Sequence, residues 1–296
     1  MKSGINEVKR RVALKEMVAF GAMAVFCSGS CRSPDRLTVA VIGDPQYGFP
    51  SGTDPQPSLD NAILTFEDLK TVPHEFLAVL GDVIQPNNMF WRYHHEYTMG
   101  MATRPVHLIN GNASFYLGAN NFTEETGQTL DPYKVMERGI RFIFLHTTGV
   151  GSLPNSNHQC VVGKKAMDWL RQELAADTTS TTVVFFHAPI ANTTYNSTEN
   201  MRMVESVEMK TLLESHANVK IFANGHVHYP YGAIDSEGRG QYRRSGNLLY
   251  ISVGRPPDTL FLNFEKDKID IRVRNNKKKE WYAEYGYTYD LETTLQ

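Results

Sequence analysis

The chain has 296 residues, 41% of them hydrophobic and 21% charged, which is enough apolar material for a substantial core and excludes a disordered polymer. Thirty Lys and Arg against 32 Asp and Glu leave a net charge of −2, so no uniform positive field for binding nucleic acid exists and none is expected. The three cysteines, Cys27, Cys31 and Cys160, cannot form a disulfide scaffold.

The chain opens with a leader, residues 1–36. Arg10 and Arg11 precede Val12, Ala13, Leu14 and Lys15, and an apolar run from Met17 to Cys27 ends in Ser28, Gly29 and Ser30. At about 1.5 Å per residue the run covers about half of a hydrocarbon core of about 30 Å, so it reads as the apolar region of an export signal and not as a membrane span. The pattern resembles a twin-arginine signal, and Cys31 after Ser-Gly-Ser is a candidate lipidation site. The expected location is outside the cytoplasm, in the periplasm or on a membrane through the lipidated Cys31.

From Leu37 onward short apolar runs alternate with helical patterns. Strands are predicted at Leu37–Ile42, Phe76–Leu80, Pro105–Ile109, Arg141–Leu145, Thr182–Phe186, Val219–Ala223, Leu248–Val253, Thr259–Phe264 and Lys268–Val273. Helical spacing, as in Met167, Leu170 and Leu174, predicts helices at Ser58–Leu69, Phe90–Met99, Lys164–Ala175 and Met203–His216. Strand–helix alternation gives an α/β fold without internal repeat or linker. The last three runs follow one another without helices, which predicts that they finish one sheet with antiparallel pairs. Gly111–Leu130 is polar and aperiodic and is expected to form a long loop. The expected division is 1–36 leader, 37–275 the α/β domain and 276–296 an aromatic tail, with Trp281, Tyr282, Tyr285, Tyr287 and Tyr289 capping the core.

Polar residues stand just past the C-terminal ends of these runs. Asp44, Pro45 and Gln46 follow the first, Gly81 and Asp82 the second, and Asn110, Gly111 and Asn112 the third. His187 follows Thr182–Phe186, while Gly225, His226 and His228 follow Val219–Ala223. In open α/β sheets ligands bind at the carboxyl ends of strands, so these residues are expected on one rim. Singly each has a plain reading: Asp-Pro and Asn-Gly are turn chemistry, and an isolated His is commonly core or surface. Jointly they are carboxylates, amides and imidazoles, a donor set suited to Mn, Fe or Zn and larger than one ion needs.

The motifs Asp44-Pro45-Gln46, Gly81-Asp82-Val83-Ile84-Gln85, Gly111-Asn112-Ala113-Ser114, His187-Ala188-Pro189 and Gly225-His226-Val227-His228 resemble, in order and spacing, those of the calcineurin-like metallophosphoesterases. The likeness extends from about Leu37 to Val273 and includes a first motif of a subgroup with Gln in place of His. The resemblance implies a four-layer α-β-β-α sandwich of two mixed sheets. It implies two divalent or trivalent transition-metal ions, one held by Asp44, Gln46, Asp82 and His228 and the other by Asp82, Asn112, His187 and His226, with Asp82 bridging. It further implies hydrolysis of a phosphorylated small molecule, nucleotide or lipid, as a mono- or diester, by a metal-bridging hydroxide, with Asp82 and Asn112 at the catalytic centre.

Three positions depart from the pattern: Gln46 and Gln85 replace His and Asp, and Ala113 replaces a histidine that contacts the substrate phosphate. A methyl group donates no proton, so His94, His95, His107, His146, His158, Tyr47 and Tyr116 become candidates for general acid, His158 foremost because its loop, Gly149–His158, can fold over the rim. His107 lies within a strand and reads as a core residue. Arg255, after Leu248–Val253, is a candidate phosphate contact. The alternative to an esterase is a metal-binding pseudoenzyme that has lost its acid.

Overall fold

Strand β1 (Leu37–Ile42) is apolar at every position but Thr38 because it is covered on both faces. Val39 and Val41 point to one side and Ala40 and Ile42 to the other, the two-residue period of a pleated strand at the centre of a layered fold. A computed structural model describes residues 36–46, 56–83, 99–115, 122–123, 126–151 and 158–291. After β1 come α1 (Gln56–Leu69), β2 (Phe76–Val79), β3 (Val106–Leu108), the single turn α2 (Asn112–Phe115), β4 (Tyr133–Glu137), β5 (Ile140–Phe144), β6 (Gly149–Val150), β7 (Cys160–Val161) and α3 (Lys164–Ala176). Then follow β8 (Thr182–Phe186), α4 (Ser206–Glu214), β9 (Val219–Asn224), β10 (Tyr242–Ser245), β11 (Leu248–Ser252), β12 (Asp258–Phe264), β13 (Lys268–Asn275), β14 (Glu280–Trp281) and β15 (Tyr287–Asp290).

The first sheet runs β14-β13-β12-β1-β2-β3 with β15 also on β13, and the second β10-β11-β9-β8-β5-β4. Both are mixed: β1, β2 and β3 are parallel, as are β5, β8, β9 and β11, while β12, β13 and the outer strands add antiparallel pairs. Phe76 of the first sheet meets Phe142 of the second edge to face at 5.0 Å, and Phe142 meets Phe264 at 5.6 Å, so aromatic rings lock the sheets face to face. Ala62, Phe66 and Leu69 of α1 cover the outer face of the first sheet. Met167, Leu170 and Leu174 of α3, with Met209 and Leu213 of α4, cover that of the second. The result is the four-layer α-β-β-α sandwich.

Two buried arginines fix helices to these sheets. Arg274 of β13 forks onto Asp68 of α1 at 2.6 and 2.9 Å, and removing one partner of such a buried pair typically costs about 3–5 kcal/mol. Arg141, 1% exposed, donates to the Glu173 and Asp177 carbonyls at 2.7 and 2.9 Å, satisfying orphan acceptors where α3 ends.

The sequence expectation of one C-terminal sheet is corrected: β11 lies parallel to β9 in the second sheet, whereas β12 and β13 extend the first beside β1. The chain crosses within one peptide. Val253 N–H still donates to Asn224 of the second sheet at 2.7 Å, while the Gly254 carbonyl already accepts from Gly43 N–H of the first at 2.9 Å. Strands β4 and β10 escape sequence analysis because Lys134, Glu137, Arg243 and Arg244 break their apolar pattern, as suits sheet edges. The third strand is shorter than expected, and helix α4 begins at Ser206 instead of Met203. The polar Gly111–Leu130 stretch starts with the turn α2. The predicted helix Phe90–Met99 lies outside the described residues except for Met99. In the tail, β14 and β15 both pair with β13 and Tyr289 is fully buried. No helix among the described residues is long and apolar enough to cross a membrane.

Candidate metal centre

The parallel strands deliver their chemistry at one rim. Asp44 follows β1, Asp82 follows β2, Asn112 follows β3, His187 follows β8, and His226 and His228 follow β9. Asp44, Gln46, Asp82, His226 and His228 adopt left-handed backbone, with φ of 46°, 38°, 45°, 67° and 46°. Such a conformation costs a non-glycine residue on the order of 1–3 kcal/mol, and its repetition here marks strain concentrated at a functional site.

Asp82 is the hub. Its Oδ1 accepts from Ala113 N–H at 2.8 Å, and its Oδ2 lies 3.3 Å from both Gln46 Nε2 and His187 Nε2. His187 Nδ1 sits 2.7 Å from the Leu80 carbonyl, to which it must donate, so Nε2 is the nitrogen left for a ligand. That Nε2 faces Asn112 Oδ1 at 3.0 Å and His226 Nδ1 at 3.1 Å. On the opposite side Asp44 Oδ2 accepts from His226 N–H at 2.7 Å, and Asp44 Oδ1 lies 3.6 Å from His228 Nε2. Space here is minimal: a Cβ on Gly81, itself at φ 85°, would stand 2.4 Å from His187 Nδ1, and one on Gly111 2.1 Å from Asp82 Oδ1.

The electrostatics follow from burial and mutual charge. Burial alone would push Asp82 up, but the surrounding histidines hold it below the ordinary carboxylate range, whereas Asp44 is raised by burial and further by the Asp82 charge. Burial alone would depress His187, yet Asp82 and Asp44 raise it; His226 and His228 are lowered, first by burial. Burial also lowers Arg255, whose charge acts on both Asp44 and Asp82.

All seven residues assigned as ligands from the sequence, Asp44, Gln46, Asp82, Asn112, His187, His226 and His228, therefore meet at this rim. Arg255 joins them because it follows the crossing between sheets. His158 is exposed, with its ring centroid 6.4 Å from that of His226. His107 packs edge-on to Phe76 at 5.1 Å, as a core residue does. His146 is buried behind the rim, where its Nδ1 accepts from Asn110 N–H at 3.1 Å. Gln85, His94, His95, Tyr47, Tyr116 and the leader with Arg10, Arg11 and Cys31 lie outside the described residues. Sequence reasoning missed Cys160 as a neighbour of the rim: its Sγ lies 4.0 Å from Asn112 Oδ1.

The donors fit a cation. Among the described residues, Asp44 Oδ1 and Gln46 Oε1 are buried without a hydrogen-bond partner, as electron-pair donors awaiting an ion would be. One ligand atom each from Asp44, Asp82 and His187 lies within 4.8 Å of the others, and so do those of Cys160, His187 and His226.

The sequence profile of the calcineurin-like phosphoesterases matches residues 37–230. A dimetal phosphatase from Danio rerio superposes with a TM-score of 0.65 at 15% identity, covering 86% of this chain and 99% of its own. A purple acid phosphatase from yellow lupin (Lupinus luteus) seeds gives 0.57 at 13% identity, covering 87% of this chain and 54% of its own. At such identities the likeness is one of fold. No curated protein matches the sequence.

Proposed function

The chain belongs to the calcineurin-like phosphoesterase family, and we propose that it hydrolyses phosphate mono- or diesters with two transition-metal ions of the Mn, Fe or Zn type. The observation that carries this reading is the convergence of His187 Nε2, Asp82 Oδ2, Asn112 Oδ1 and His226 Nδ1 at 3.0–3.3 Å, electron pairs that repel unless a proton or cation lies between them. In this reading Asp44, Gln46, Asp82 and His228 hold one ion, and Asp82, Asn112, His187 and His226 the other. Two such ions, when bound, neutralise phosphate oxygens and lower the pKa of water between them.

The chain's own contribution is orientation and proton handling. The Leu80 carbonyl fixes the tautomer of His187, and Ala113 N–H steadies the Asp82 carboxylate. Arg255, half-buried and charged toward Asp44 and Asp82, binds a phosphate oxygen of the substrate. A His158 ring nitrogen gives its proton to the leaving oxygen, the step the Ala113 methyl cannot perform, and general acid transfer of this kind contributes about 10²–10⁴-fold.

The leader supports action outside the cytoplasm, with export by a twin-arginine route, a lipid on Cys31, and a phosphorylated small molecule, nucleotide or lipid as substrate. Replacing Arg10 and Arg11 together by Lys is expected to strand the precursor in the cytoplasm; normal export of that variant overturns the assignment. For the activity, elemental analysis of the purified protein is combined with rates on alkyl and aryl mono- and diesters. About two ions per chain, hydrolysis, and a selective loss of alkyl ester turnover in His158→Ala are expected. Metal-free protein overturns the reading, and bound ions without turnover of any ester leave a metal-binding pseudoenzyme.

A further inference from the structure

Cys160 is fully buried on β7, and its place is fixed by backbone on several sides. Its carbonyl accepts from Val204 N–H at 2.9 Å, and its neighbours pair with β6 through Thr148 N–H to the Val161 carbonyl at 2.8 Å and Gly151 N–H to the Gln159 carbonyl at 2.9 Å. The thiol belongs to the apolar cluster beneath α3, yet its Sγ also faces two oxygens, the His158 carbonyl at 3.8 Å and Asn112 Oδ1 at 4.0 Å. Its Sγ and a ring nitrogen from each of His187 and His226 lie within 4.8 Å of one another.

We propose that Cys160 is a further ligand of the second ion, beside Asp82, Asn112, His187 and His226, so that this half of the centre carries nitrogen and sulfur and selects Zn²⁺ or another thiophilic ion. The proposal rests on the reading that an ion sits between His187 and His226, and it deepens that reading by fixing the ion's chemistry. Neighbouring ligands at about 2.0–2.3 Å from one ion would stand roughly 2.8–3.7 Å apart. The distances here are 3.0 Å from His187 Nε2 to Asn112 Oδ1, 3.1 Å to His226 Nδ1, and 4.0 Å from Asn112 Oδ1 to Cys160 Sγ, a spread that small side-chain shifts bring into range. On binding, the S–H bond breaks, a sulfur–metal bond forms, and the proton leaves to solvent with no change of oxidation state. Thiolate ligands favour Zn and Fe over Mn, which prefers oxygen.

X-ray absorption of the full chain loaded with Zn²⁺ reads the ligands directly. About one sulfur per two ions is expected at about 2.3 Å, beside nitrogen and oxygen at about 2.0–2.2 Å. The Co²⁺-loaded protein should show a sulfur-to-cobalt charge-transfer band. Cys160→Ser should abolish both signals and weaken one of the two ions at least about 10-fold, as loss of supporting groups around a metal already does. Should that variant fail to fold, the wild-type spectra decide alone. Two bound ions with only nitrogen and oxygen around them overturn the sulfur ligand and leave the phosphoesterase reading standing; a chain that takes up no ion overturns both.

Discussion

The two sides of Asp82 differ in donor and in access. Around Asp44 and Gln46 the donors are mainly oxygens; Asp44 is fully buried and Gln46 5% exposed, so the access on this side comes from His228, whose side chain is 30% exposed. Around His187 they are ring nitrogens, an amide and a thiol, with His187 and Cys160 fully buried and His226 4% exposed. In the proposed centre Asp82 would join a harder position, open at His228, to a softer, closed one, the first suited to admitting substrate and exchanging its ion and the second to retaining one.

The variant expected to erase this difference is Asp82→Asn, since it touches both sides. Metal content should fall towards zero, and turnover by on the order of 10³-fold, the equivalent of losing several kcal/mol of charge stabilisation. Retention of one ion would show that the halves do not share Asp82.

Acid should attack the closed side from behind. Burial pushes His146 down to about 4, against the opposing charge of Asp131, and the ring accepts from Asn110 N–H, two residues before Asn112. Between about pH 6.5 and 4 the unfolded chain takes up a proton that the native one refuses, so stability falls as pH falls through that window and is complete above it. The expected loss is on the order of 3 kcal/mol in denaturant unfolding of the metal-free chain, and His146→Asn should flatten the dependence. An equal slope in that variant would move the cause elsewhere.

Two glycines let the halves be damaged separately. Gly81→Ala drives a methyl against His187 Nδ1, whereas Gly225→Ala places one 2.6 Å from Asp44 Oδ2. Each should cost about 1–3 kcal/mol of stability by overpacking. Metal titration should show the tighter ion weakened in the first variant and the looser ion in the second. Identical titrations would remove the asymmetry. The smallest effect is expected for Arg255→Ala, roughly 10-fold in KM with kcat held within a few-fold, the loss of one charge-assisted hydrogen bond.

Most of the rim is legible in the sequence because Asp44, Asp82, His187 and His226 stand one to three residues beyond short apolar runs, and such runs end where strands end. Cys160 is not legible. It belongs to a two-residue strand, and nothing local tells which nitrogens its sulfur faces. The allocation of β11 and β12 to different sheets is hidden for a related reason, since the single peptide from Val253 to Gly254 carries no turn signal other than the glycine itself. His146 obeys the strand-end rule, standing two residues past β5, yet turns inward to hold Asn110, so the rule locates residues at the rim without saying which way they point.

The pairing of β1 sets a timetable for the centre. Leu37 lies opposite Phe264, and Thr38 Oγ1 bonds to Asn263 Oδ1 at 3.0 Å across 225 residues. Closing so long a loop is entropically unfavourable until both strands are present, and such non-local pairing is slow. Asp44 hangs from the end of β1, and the amide that steadies it belongs to His226. A growing chain released only as far as His228 therefore already carries every carboxylate and imidazole of the rim, but β1 lacks its partner β12 along one edge. Loading with metal is accordingly an event of the finished polypeptide, and a chain cut short before β12 should resemble one that has never met an ion.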